Sequence, residues 1–163
     1  MLVNNNNNMF PAINIKSSVP PVLKIFPRSE YLLQFDGCSK GNPGLAGAGA
    51  VIYNYDTELW GRSQFVGNKN TNNEAEYRGL IIGLEEALSM DIKHLSVEGD
   101  SLLVIKQMTR EYKVKSEKLL PLHEEASQLA KQFDSITFTH IYRKNNKRAD
   151  ELSNIAVDMV IIK

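Results

Sequence analysis

The segment TNNEAEYRGL, residues 71–80, sets two glutamates, Glu74 and Glu76, directly in front of an apolar run. Helical residues advance by about 100° each, so these two carboxylates point to different sides of any helix they share. With Glu76 as reference, Leu80, Gly83, Leu84 and Ala87 fall within about 80° of it, on the face a helix lays against a sheet. Glu74 falls about 160° away, beside Arg78 and Glu85. Ile82 does not fit this division. The spacing predicts a helix from about Asn73 to Ser89 with Glu76 inward and Glu74 at the surface. An inward carboxylate needs a partner, either a nearby cation or a metal ion shared with other acids.

Ahead of this helix the pattern is strand-like. YLLQFDGC (31–38) is a β-like run closing on Asp36, and SKGNPG (39–44) follows as a turn built on Gly41, Asn42, Pro43 and Gly44. AGAGAVIYNY (46–55) and LWGRSQFVG (59–67) read as two more strands joined around Asp56 and Thr57, an antiparallel meander. Behind the helix come a strand, HLSVEGD (94–100), a helix beginning near Ser101, and a third through LLPLHEEASQLAKQF (119–133). Pro121 is tolerated in the first turn of that third helix. The strand SITFTHIYR (135–143) precedes a last helix starting near Asn146. The order βββαβαβα predicts an α/β domain with one mixed sheet and helices packed on its faces.

A chain of 163 residues is about one domain's worth, and its 42% apolar share suffices for a core. Nineteen basic residues balance nineteen acidic ones, so total charge names no polyanionic partner. The single cysteine, Cys38, excludes an internal disulfide and fits a reducing compartment. No apolar run approaches the roughly 20 residues of a membrane helix. Residues 1–29, with Asn4 to Asn8 as a homopolymer and four prolines after it, read as a disordered tail before a folded domain over 30–163. The expected location is intracellular, cytoplasmic or nuclear. Lys16, Lys24 and Arg28 keep an organellar targeting peptide as the alternative.

If Glu76 shares a metal, other acids should stand at strand ends and helix starts. Asp36 closes one strand, Asp100 another, and Asp150 lies in the first turn or so of the final helix. Each alone has an ordinary reading as a turn, cap or helix-dipole residue. Together the four suit a hard divalent cation, Mg²⁺ or Mn²⁺, and argue against zinc, which prefers nitrogen and sulfur ligands. Two such ions about 4 Å apart activate a water and stabilise the leaving oxygen of a phosphodiester.

FDGCSKGNPG, TNNEAEYRGL, GDSLLV and RKNNKRADELSN, in this order, resemble type 1 ribonuclease H over roughly Tyr31 to Asp158. The resemblance implies a mixed five-stranded sheet with helices on both faces. It implies an endonuclease that hydrolyses the RNA strand of an RNA–DNA hybrid by two-metal catalysis, leaving 5′-phosphate and 3′-hydroxyl ends. Asp36, Glu76, Asp100 and Asp150 would hold two Mg²⁺ ions, with Mn²⁺ as a substitute. The loop histidine of many bacterial members is missing, and Arg143 stands where some members use arginine. His140 belongs to the strand and is read as structural. Cys38, Ser39, Gly41, Asn42, Asn72 and Asn73 are implied as contacts to the hybrid, and Thr71 as a contact to a DNA-strand phosphate. The hybrid is thus the expected partner, the chain a monomer, and a membrane no part of its setting.

Read without the family, GNPG is an ordinary turn and the asparagines ordinary caps. Arg143, Lys144, Lys147 and Arg148, with Lys106, Arg110, Lys113, Lys115 and Lys118, could contact phosphates or merely solvate helix faces. The middle segment is too short, and too poor in tryptophan, for the basic protrusion of some family members. Three other readings stand beside the enzyme: a binding protein on this fold without catalysis, a domain from a reverse transcriptase or mobile element, and another two-metal nuclease or integrase.

Overall fold

The computed structural model describes residues 29–162, so the expectation of a tail over residues 1–29 falls almost wholly outside the described residues. Three antiparallel strands open the domain: β1 (Tyr31–Lys40), β2 (Gly44–Asn54) and β3 (Thr57–Asn70). Helix α1 (Asn72–Ser89) leads to β4 (His94–Gly99). Helices α2 (Leu102–Met108) and α3 (Leu120–Ala130) then precede β5 (Ser135–His140), and α4 (Lys147–Ile161) closes the chain after a 3₁₀ turn at Arg143–Asn145. The sheet order is β3-β2-β1-β4-β5, with β4 parallel to both β1 and β5. This is the mixed five-stranded α/β sheet that the sequence predicts.

Two boundaries differ in a way that matters. β1 does not end at Asp36 but runs on to Lys40, because β2 starts at Gly44 and the hairpin keeps pairing to Lys40↔Leu45. Asp36 is therefore mid-strand, paired with Gly49. The N-cap of α1 is Thr71 rather than an asparagine. Its hydroxyl accepts the Glu74 N–H at 3.2 Å, while the Glu74 carboxylate accepts the Thr71 N–H at 2.7 Å. This reciprocal capping box satisfies two donors at the helix start.

The main core lies between the sheet and α1, α2 and α3, around Leu33, Phe35, Tyr77, Leu80, Leu84, Val97 and Val104. α1 packs on β1 and β2 and also against α3, which explains why Ile82 is buried although it lies off the Glu76 face. Tyr77 is fully buried, and its hydroxyl donates to the Gln107 side chain at 2.6 Å, so no polar atom is stranded there. A smaller cluster, Val51, Ala149 and Leu152, seats α4 on the sheet.

Both helices come close because a glycine stands at each contact, Gly79 on α1 and Gly49 on β2. A Cβ on Gly79 would lie 2.6 Å from the Asp36 carbonyl oxygen and 2.9 Å from that of Gly49. A Cβ on Gly49 would collide with the Ala149 carbonyl oxygen of α4. The residues that carry the acids are thus drawn together by backbone-to-backbone contact.

Candidate active site

The parallel register between β1 and β4 pairs Phe35 with Gly99, so the next residues along, Asp36 and Asp100, stand side by side. α1 crosses β1 with Gly79 against the Asp36 carbonyl, which brings Glu76, one turn earlier, over the same point. Oxygens of Asp36, Glu76 and Asp100 lie within 4.8 Å of one another. Asp36 and Glu76 are nearly buried, at 5% and 7% exposure, and Asp100 is half-buried. The angular count on α1 placed Glu76 correctly: it faces the protein, and Glu74 caps its own helix.

Asp150 is not within that tight trio. It lies on the same cleft, of about 550 Å³, but its carboxylate is held by the Arg143 guanidinium at 3.4 Å and the Asn154 side-chain amide at 3.2 Å. Cys38, Ser39, Asn72 and Arg143 also line the cleft. Gly41, Asn42, Thr71 and Asn73 do not line it, although Asn42 adjoins it: its side-chain oxygen accepts the Asn72 N–H at 3.0 Å. Asn72 in turn accepts the Ser39 N–H at 2.7 Å, which locks the β1–β2 turn to the start of α1. Gly41 is at φ +107°, a conformation that suits a residue without a side chain.

Burial pushes the Asp36 carboxyl up to about 7; a hydrogen bond with Glu76 lowers it, and the charge of Asp100 raises it again. Glu76 is held well above the usual carboxylate range, by burial first and then by the Asp36 charge. Asp100 is raised by burial, against a lowering hydrogen bond from Asn146 and the nearby Arg143 charge. Three acids so raised cannot all ionise cheaply without a cation among them. Oε2 of Glu76 is buried with no hydrogen-bond partner among the described residues. An all-oxygen donor set with a carboxylate oxygen unused fits a hard divalent cation.

Sequence reasoning missed Lys40, Tyr142, Asn146 and Asn154 at or behind the cleft. His140, read there as a structural strand residue, lines it too. The His140 ring nitrogen Nε2 lies 3.2 Å from the Asp100 carbonyl oxygen, an acceptor, so that nitrogen carries a proton. Lys40 reaches the Asn154 amide oxygen at 3.4 Å. Two cations on the sequence's phosphate-contact roster are engaged elsewhere. Arg148 grips Glu58 with two nitrogens and meets Glu151 at 3.3 Å, and Lys106 pairs with Glu111 at 3.0 Å.

The fold and its acidic cleft define a ribonuclease H-like domain. The family model described as "Reverse transcriptase-like" matches residues 34–156. The chain is 44% identical to the bifunctional protein Rv2228c of Mycobacterium tuberculosis over 79% of this chain and 36% of that protein. Among solved structures, RNase H1 from Halobacterium salinarum matches with a TM-score of 0.76 and 36% identity, covering 80% of this chain and 99% of that one. LC11-RNase H1 in complex with RNA/DNA hybrid matches with a TM-score of 0.75 and 35% identity, again over 80% and 99%. The chain belongs to the type 1 ribonuclease H-like family. It spans little more than a third of the first of these curated relatives. No described helix is long and apolar enough to cross a membrane.

Proposed function

We propose that this domain hydrolyses the RNA strand of RNA–DNA hybrids, leaving 5′-phosphate and 3′-hydroxyl ends. The observation that carries this reading is the trio Asp36, Glu76 and Asp100, mutually within 4.8 Å at the base of an open cleft with Asp150 at its side. A ribonuclease H1 of the same fold has been captured with an RNA/DNA hybrid, which supports the substrate class.

Asp36, Glu76, Asp100 and Asp150 would hold two divalent cations, Mg²⁺ or Mn²⁺. Bound there, such ions supply an activated water and neutralise the leaving oxygen. The chain's own residues supply the rest. Ser39, Asn72 and Asn42, cross-linked by the bonds above, form a rigid polar edge suited to reading the RNA minor groove, where the 2′-hydroxyl marks RNA. Cys38 lines the cleft beside this edge, its thiol donating to the Ser153 carbonyl at 3.4 Å. Gly41 and Asn73 flank it, and the Thr71 hydroxyl hydrogen is available for a phosphate oxygen. Arg143, 79% exposed at the cleft mouth, can shift from Asp150 to a phosphate of the RNA. The domain acts as a monomer inside the cell.

The test is cleavage of a 5′-labelled RNA strand paired to DNA, with Mg²⁺ or Mn²⁺, by wild type and Asp36→Asn. Duplex RNA, duplex DNA and single-stranded RNA run alongside. Cutting confined to the hybrid and lost in the variant is expected. Tight binding without cutting would establish a binding module instead, and cutting of duplex DNA an integrase-like nuclease.

A further inference from the structure

We infer that Asn146 is a positioning residue of this site: its buried amide ties the strand bearing Asp36 to the first turn of the helix bearing Asp150. The inference rests on the metal-dependent reading above.

Asn146 is wholly buried and is the N-cap of α4. An asparagine at an N-cap ordinarily turns its side-chain oxygen to an N–H of the first turn. Here it makes no such bond. Its Nδ2 instead donates at 2.9 Å to the carbonyl of Phe35, the residue just before Asp36. That bond fixes the amide's orientation, because a flipped amide would set its oxygen against a carbonyl oxygen. The Asn146 side chain also favours the charged form of the Asp100 carboxyl. Meanwhile the Asn146 main-chain carbonyl accepts the Asp150 N–H at 3.1 Å.

One residue therefore bonds to the backbone beside Asp36 and to the backbone of Asp150. The arrangement costs stability. Oδ1 of Asn146 is buried with no hydrogen-bond partner among the described residues, and the cap it could have formed is forgone. A residue present only to start α4 would turn its oxygen toward the helix. This one donates instead to the strand that carries Asp36, as groups behind metal ligands do when they orient them.

The test is calorimetric Mn²⁺ titration of the full chain as wild type, Asn146→Ala, Asn146→Leu and Val157→Ala. The last is a buried control two turns beyond Asp150 on the same helix. Both Asn146 variants should bind Mn²⁺ about 10-fold more weakly or worse, the usual effect of removing such a support. Val157→Ala should lose thermal stability yet keep the wild-type affinity. In hybrid cleavage at saturating metal, the Asn146 variants should lose kcat with KM little changed. Wild-type Mn²⁺ affinity in Asn146→Ala, or an equal loss in Val157→Ala, would overturn the inference. If neither Asn146 variant folds, NMR of the wild type decides. Side-chain amide protons of Asn146 that resist exchange and shift on Mg²⁺ addition support the role, and freely exchanging, unmoved ones overturn it. A wild type that binds no Mn²⁺ sinks the metal reading itself, and this inference with it.

Discussion

Asp36 and Glu76 are two nearly buried carboxyls with oxygens within 4.8 Å of one another, and burial raises both, Asp36 to about 7. Below about pH 4 Asp36 is protonated whether the chain is folded or not. As pH rises toward 7 the unfolded chain loses that proton first, since folding raises the Asp36 pKa from 3.8 to about 7. Its contribution to stability is therefore present in acid and lost across that window. Asp36→Asn cannot ionise, so without metal it should be more stable than wild type at pH 8, by on the order of 4 kcal/mol. The gap should shrink at pH 5 and with added Mg²⁺. Thermal unfolding at both pH values checks this, and a gap that fails to grow with pH would refute it. The two glutamates of α1 make a sharper contrast. Glu76→Gln should abolish cleavage at undiminished stability, whereas Glu74→Ala should keep cleavage and lose about 1 kcal/mol with its capping box. Activity and denaturation curves measured side by side separate them. Helical periodicity alone distinguished Glu76 from Glu74. The capping box was also in plain view as Thr71-x-x-Glu74, but Glu74 was read from its orientation and Thr71 from the family resemblance, neither from capping chemistry. Asn146 was not legible at all, because a cap asparagine and a tertiary clamp look alike until the strand carbonyl it binds is in place.

At the scale of elements, the site depends on how closely α1 lies on β1. Gly79 permits that approach, and an added Cβ there would meet backbone oxygens of Asp36 and Gly49, which cannot rotate away. Gly79→Ala should lift α1, cost roughly 1–3 kcal/mol as overpacking does, and weaken Mn²⁺ binding by separating Glu76 from Asp36. At Gly83, one turn later, the colliding atoms belong to the Leu33 side chain, which can change rotamer. Gly83→Ala should therefore destabilise without touching metal affinity. Melting curves and calorimetry on the two variants test the distinction, and equal effects on metal binding would refute it. Strand and helix order followed from hydrophobic pattern and turn residues, as β1 to β3 show. The continuation of β1 past Asp36 did not, because the glycines and small polar residues of 37–40 pair with β2 only once the hairpin has set the register.

Over the whole molecule, charge decides how firmly a polyanion is held. Zero formal net charge offers no long-range pull toward a hybrid. Ion pairs reduce the local pull further: Arg148 is engaged by Glu58 and Glu151, Lys106 by Glu111, and Arg78 by Glu125. The α2–α3 connection spans only residues 109–119, and its cations, Arg110, Lys113, Lys115 and Lys118, stand on a short segment rather than a protruding helix. Few phosphates can be neutralised at once, so hybrid affinity should fall only shallowly with salt, each contact adding about 0.9 to the log–log slope on the scale for duplex DNA. Replacing Lys113, Lys115 and Lys118 with Gln should then lower that slope by no more than about 3. A weak grip also predicts about one cut per encounter. When unlabelled hybrid is added as a trap just after mixing, labelled RNA strands should carry single cuts, because the enzyme leaves before it can cut again. A ladder of successive cuts on one strand despite the trap would show a strong hold, and would require a nucleic-acid contact beyond the cleft and the short connection described above.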